Sequence, residues 1–188
     1  SLPASVALFI GSEQIISALF GYGSFTEESV LNSAKALYYF GLGLPAFALI
    51  KVFSTFFFAN HDTKTPFYIS LISVILNILI SIYYFKSIGF IILPIATSIS
   101  SWLNSILLFV FLRNKNYFRL NKIFFKNFLK IIISSIMMGI FFEYLILLFE
   151  NKLVYDHYFK SFYLVLSVLL GLIFYLLVSF FIKAFNYK

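Results

Sequence analysis

Long apolar runs separated by short polar breaks occupy the whole chain. They fall at 2–20, 35–59, 66–85, 89–112, 128–149 and 160–182. A helix needs about 20 predominantly apolar residues to cross a bilayer, so the pattern predicts six transmembrane helices, the first of them incomplete. None of the runs alternates with the period of two that a membrane barrel strand requires. The expected fold class is all-α integral membrane.

Composition agrees. The 188 residues are 62% hydrophobic and 11% charged, with a mean hydropathy of +0.98. A soluble domain carries roughly 25% charged residues. Cysteine is absent, which removes disulfides and thiolate metal sites. The formal charge of +7 matters here through its placement rather than its sum, and no nucleic-acid partner is expected. The start, SLPASVALFIG, has no initiator Met and no charged segment of a signal peptide. It reads as the C-terminal piece of a longer protein, beginning inside a helix.

The loops set an orientation. Lys64, Arg113, Lys115, Arg119, Lys122, Lys126, Lys183 and Lys188 fall on one side, whereas Lys86 and Lys152, with Lys35 and Lys160 at the membrane edge, fall on the other. Glu27, Glu28, Glu150 and Asp156 join the second group. The positive-inside rule places both ends of the chain in the cytoplasm.

Several residues stand out against the apolar background. Lys51 lies eight residues from the end of its run, or roughly 12 Å deep at 1.5 Å per residue. A cation there either faces a wet cavity that meets an anionic substrate or snorkels its long stem to the interface. Asn77 joins Ser70, Ser73 and Ser81 in one helical stripe, and Asn104 joins Thr97, Ser101 and Ser105 in another. Counted from the helix ends, Lys51, Asn77 and Asn104 come to similar depth, as cavity residues or as packing contacts between helices. Gly41, Gly43 and Pro45 interrupt the second helix and Pro94 the fourth, as hinges or as static kinks. The cluster Arg113, Lys115, Arg119, Lys122 and Lys126 suits anionic lipid headgroups or simply fixes topology. In Asp62-Thr63-Lys64-Thr65-Pro66, Thr65 is expected as a helix N-cap, Pro66 as the first helical residue and Asp62 as an acceptor of backbone N–H groups in the turn. Glu13 and Glu143 are expected at the interface. His61 and His157 fall on opposite sides and cannot share a metal, and no spacing matches a catalytic or cofactor motif. No enzyme activity and no cofactor are expected.

Gly43-Leu44-Pro45-Ala46-Phe47, Lys51-Val52 and Phe58-Ala59-Asn60-His61-Asp62-Thr63-Lys64-Thr65-Pro66 resemble the "GLPAFxLxKV…FYAxxDTxTP" stretch of the MurJ/MviN family. Ala96-Thr97-Ser98 to Trp102-Leu103-Asn104 and Leu19-Phe20-Gly21 to Phe25-Thr26 are similar to two further stretches of that family. The resemblance covers roughly residues 2–113. Pro94 departs from it, standing where the family usually shows Leu.

The resemblance implies a lipid II flippase of the multidrug/oligosaccharidyl-lipid/polysaccharide exporter superfamily, with fourteen helices in two lobes and an extra pair. Residues 1–112 would be the last four helices of the C-terminal lobe, 113–127 a basic cytoplasmic loop, and 128–188 the extra pair. Lys51 falls on a family lysine, facing the pyrophosphate of a lipid-linked precursor. The implied partners are that anionic precursor, membrane lipids and the N-terminal remainder of the same protein. The implied location is the bacterial cytoplasmic membrane, with alternating access by rocking of one lobe against the other; coupling to an ion or to the membrane potential is left open by the sequence. Alternatives are another exporter of the superfamily, moving O-antigen-type lipid-linked sugars or drugs, and a non-transporting membrane scaffold. A drug exporter should carry an acidic residue deep in the membrane, whereas the deepest charge here is Lys51.

Overall fold

The computed structural model describes residues 1–117 and 122–184, with no account of side chains at 122–124. It contains the helices α1 (Leu2–Phe20), α2 (Glu27–Ala59), α3 (Lys64–Ile88), α4 (Ile92–Asn114), α5 (Lys122–Leu148), the short α6 (Glu150–Leu153) and α7 (Lys160–Phe181). A 3-10 turn, Gly89–Ile91, separates α3 from α4. Helices α1, α2, α5 and α7 are each long and apolar enough to cross a membrane, as is the run Lys64–Asn114, which folds into two antiparallel helices. Helices long and apolar enough to cross a membrane therefore stand at each of the six expected runs.

Two helix starts lie upstream of the apolar runs. Helix α2 begins at Glu27 rather than near 35, because Thr26 caps it. The Thr26 hydroxyl oxygen accepts the Ser29 backbone N–H at 3.3 Å. Glu27 and Glu28 in the first turn suit the positive end of the helix dipole. Helix α5 likewise begins inside the expected basic loop, so Lys126 lies on the helix. Pro94 is the third residue of α4 rather than an interior breaker, a position where a missing N–H breaks no intrahelical bond.

Helix ends close by a repeated device. At the end of α2, Asp62 N–H donates to Phe57 O and His61 N–H to Phe58 O, both 3.0 Å, with His61 at φ 57. Asn116 (φ 56) does the same for α4 and Lys183 (φ 51) for α7. These are Schellman caps whose left-handed residue is not glycine.

The described residues form two compact units, 42–117 in one and 2–41 with 122–184 in the other. In the first, the later part of α2 packs parallel to α4 and α3 runs antiparallel between them in sequence. Its apolar core is Phe57, Ile69, Leu108 and Leu112, and Gly43 sits where a Cβ would stand 2.8 Å from the Ser98 hydroxyl oxygen.

In the second unit α1 kinks at Gly11 (φ −107, ψ 19), where a Cβ would stand 2.7 Å from the buried Phe142 ring. The opposite end is tied by Lys160. Expected at the membrane edge, it is 1% exposed. Its ammonium donates to Gly21 O and Tyr155 O at 2.6 Å each and lies 4.3 and 4.5 Å from the ring centroids of Tyr22 and Tyr155. Beside it the Tyr22 and Ser161 hydroxyls are 2.6 Å apart, and Ser161 donates to Ala18 O. Two carbonyls and two rings thus solvate a buried cation and join the α1–α2 turn to the start of α7. Lys160→Met should destabilise the protein by about 1–3 kcal/mol for each carbonyl left without a donor. Thermal unfolding in detergent, with proteolysis of the 21–26 turn as a second readout, checks this.

Candidate functional site: a polar recess on α2, α3 and α4

Helices α3 and α4 turn their polar stripes toward one another. Asn77 Nδ2 donates to Thr97 Oγ1 at 3.2 Å and to Ser100 Oγ at 3.3 Å, and Asn104 Nδ2 reaches Ser70 Oγ at 3.5 Å. The other face of α3 is apolar and exposed, with Ile72, Ile75, Leu79 and Ile82. In lipid an unpaired amide is costly, so such side chains pair across helices.

The seam borders a recess of about 270 Å³. Phe47 and Ile50 of α2 close it, with Asn77 and Asn104 among its lining residues. Asn104 is 8% exposed, and its Oδ1 is buried without a donor. The recess therefore offers a neutral, hydrogen-bonding surface with one unsatisfied acceptor. It holds no nucleophile paired with a base, and among the described residues no three His, Cys, Asp or Glu side chains are placed to share a metal ion.

Asn77 and Asn104 line one recess at different levels. Asn104 faces Ser70, seven residues before Asn77 on α3, a separation of roughly 10 Å along the axis. Depth counted from helix ends misjudged this because α4 extends past the start of α3. Lys51 is exposed, one residue after Ile50 and one turn after Phe47, but does not itself line the recess. Ser100, a second acceptor for Asn77, lies off the stripe that the sequence suggested. Gly41 accepts a 2.6 Å hydrogen bond from Ser5 at its carbonyl, and α2 runs unbroken through Pro45.

The turn between α2 and α3 is held from its side chains. Asp62 Oδ1 accepts the Thr65 backbone N–H at 3.1 Å and Oδ2 accepts the Thr65 hydroxyl at 2.8 Å. Lys115, just past α4, donates to Asp62 Oδ2 at 2.6 Å and to Thr65 Oγ1 at 2.9 Å. Asp62, not Thr65, caps the helix. Thr65 and Pro66 lie within the first turn, and neither Thr63 nor Lys64 supplies a side-chain cap. Lys115 thus pairs within the turn, whereas Arg113 and Lys126 stay exposed. Arg119 lies outside the described residues, as does the side chain of Lys122. The Lys115 hydrogen bond, then that of the Thr65 N–H, lowers the Asp62 pKa from the ordinary 3.8 to about 2.

The family model for the lipid II flippase MurJ matches residues 1–168. The chain belongs to the MurJ family. It is 40% identical over 109 residues to a probable lipid II flippase MurJ of Rickettsia prowazekii, covering 58% of this chain and 22% of that protein. The corresponding Thermotoga maritima protein is 37% identical over 139 residues, covering 74% and 28%. A solved lipid II flippase MurJ in an inward closed conformation superposes with a TM-score of 0.76 at 27% identity, over 97% of this chain and 36% of that one. The chain spans about a fifth to a third of the length of these proteins. Its family is one of membrane transporters rather than of known enzymes.

Because the Asp62 carboxylate is stabilised in the fold, its contribution is present above the ordinary value near 4 and is lost as pH falls toward 2. Asp62→Ala should cost about 1 kcal/mol, as a lost cap does. Asp62→Asn should keep most of the cap and abolish the acid-dependent step. Unfolding midpoints of the purified protein between pH 6 and pH 2 measure both.

Proposed function

We propose that this chain is the C-terminal part of a lipid II flippase, which moves a lipid-linked peptidoglycan precursor from the cytoplasmic to the outer leaflet of the bacterial cytoplasmic membrane. In this reading α1–α4 are the last four helices of the C-terminal lobe of a fourteen-helix, two-lobed transporter. Helices α5 and α7 are the additional pair, with α6 in the connection between them. Both ends of the chain face the cytoplasm, as does the Asp62–Lys115 turn.

The carrying observation is the polar recess of α2, α3 and α4 beside Lys51, in a chain of the MurJ family. Lys51 is exposed within a membrane-spanning helix and has no ion-pair partner among the described residues. An intramembrane cation in that state needs a wet cavity or an anion. The precursor's pyrophosphate is such an anion. Asn77 and Asn104 would supply uncharged hydrogen bonds to its polar head or set how closely α3 and α4 pack as the lobe rocks. Gly41, Gly43 and Pro45 are candidate flexing points, with Pro94 at the start of α4. Arg113 and Lys126 would meet anionic headgroups at the cytoplasmic surface. The precursor, the surrounding lipid and the N-terminal remainder of the protein are the partners of this reading. An ion or the membrane potential drives the cycle.

Lys51→Ala in the full-length protein should lower flipping about tenfold or more, the loss of one charge-assisted contact, while membrane insertion persists. Complementation of a depletion strain, with immunoblotting of the membrane fraction, reads both; normal growth would remove Lys51 from the site. The 188-residue chain alone should not flip the precursor in proteoliposomes, because the rest of the cavity wall is missing.

A further inference from the structure

A second recess, of about 270 Å³, lies wholly within the unit of residues 2–41 and 122–184. Glu13, Gln14 and Ser17 of α1 line it, with Glu27 opening α2, Glu150 opening α6, and Tyr155. The rest of the wall is aliphatic, from α2, α5 and the α6 region. Three carboxylates therefore meet a partly apolar hollow with no Lys, Arg or His in its lining. None of the three forms an ion pair among the described residues.

Two further oxygens in the lining lack partners. Ser17 is 6% exposed and its hydroxyl makes no hydrogen bond. Ser73, Ser134, Ser135 and Ser167, also buried in helices, each donate to the carbonyl four residues earlier. Ser17, like Ser179, does not follow them, and Ser17 lines the recess. Gln14 Oε1 is likewise buried without a donor. A buried acceptor without a donor costs free energy that a ligand recovers by supplying N–H groups.

The ligand class follows from geometry. The carboxylates do not converge, since no three acidic or His side chains among the described residues are placed to share a metal ion. A bare cation would leave most of the acceptors unmet. A quaternary ammonium has no N–H to donate, and a single aromatic ring is no cage for it. A primary ammonium carries three N–H donors on an aliphatic stem and matches charge, acceptors and apolar wall together. Glu27 and Glu150 open their helices just after the chain leaves α1 and α5, and the ends of spanning helices are where a membrane protein meets lipid headgroups.

We propose that this acidic recess binds a primary ammonium group, carried by an aminoethyl lipid headgroup or by a free amine. The site is independent of precursor transport, and its test reads binding alone. The full-length protein is placed in nanodiscs of phosphatidylglycerol mixed with either phosphatidylethanolamine or phosphatidylcholine. Lipid retained on the protein is quantified by native mass spectrometry, and the unfolding midpoint is recorded. A parallel arm adds free ethanolamine to phosphatidylglycerol nanodiscs.

Ethanolamine lipid should be retained over choline lipid about tenfold, as expected for charge-assisted hydrogen bonds, and should raise the midpoint. In Glu13→Gln/Glu27→Gln/Glu150→Gln this preference should vanish, whereas Glu143→Gln, outside the recess, should retain it. Stabilisation by free ethanolamine makes a soluble amine the ligand; retention of ethanolamine lipid without that effect makes the headgroup the ligand. Equal retention of the two lipids with no effect of ethanolamine overturns the proposal, as does a preference that survives the triple variant, or equal stabilisation by Na⁺ or Mg²⁺. The comparison of headgroups needs no variant, so it decides even where the triple variant fails to fold.

Discussion

A buried amide between two helices needs a hydrogen-bond partner, and this chain's first unit is organised by that constraint. Asn77 is satisfied only because Thr97 and Ser100 stand on the facing helix. That pairing fixes the register of α3 against α4. The register in turn brings Asn104 opposite Ser70 and leaves room beside Phe47 and Ile50. Hydrogen bonds between membrane helices are individually modest, about 0.6–2 kcal/mol, but they are directional, whereas Leu and Ile contacts with lipid and with protein are nearly equivalent. The polar seam selects one packing among many apolar ones.

The same constraint appears in the second unit with a charge. Lys160 is buried, and Gly21 and Tyr155 provide carbonyls where no carboxylate bonds to it. The cation is held directly by dipoles and rings, and no carboxylate is within ion-pair distance of it among the described residues. At the α2–α3 turn the solution is different, because water is near. There Lys115 and Asp62 form an ordinary ion pair over a helix cap. Burial within the protein thus separates the two lysines, Lys160 being enclosed and Lys115 exposed.

The six spans were legible because length and hydropathy alone require them. The starts of α2 and α5 were not, since EES and the residues before Phe125 dilute an apolar average while Thr26 still caps a helix. Asp62 was legible as a backbone acceptor, but its competition with Thr65 for the cap was settled by Lys115, fifty-three residues away. The two asparagines were visible as anomalies; their levels were not, because counting inward assumes that neighbouring helices end together. The burial of Lys160 had no local signal at all. Tyr155 is near in sequence, but Gly21 and Tyr22 lie across the unit, and at the edge of an apolar run a lysine ordinarily snorkels.

The central claim is that the membrane face around Lys51 and the polar seam meets water and an anionic substrate. Thiol accessibility tests it directly, in an otherwise cysteine-free full-length protein. Lys51→Cys and Ser70→Cys should react with a small water-soluble thiol reagent, and the lipid-linked precursor should slow both reactions. Leu79→Cys, on the apolar face of α3, should stay unreactive. A Lys51→Cys protein that resists labelling, or that labels at the same rate with and without the precursor, would contradict the account.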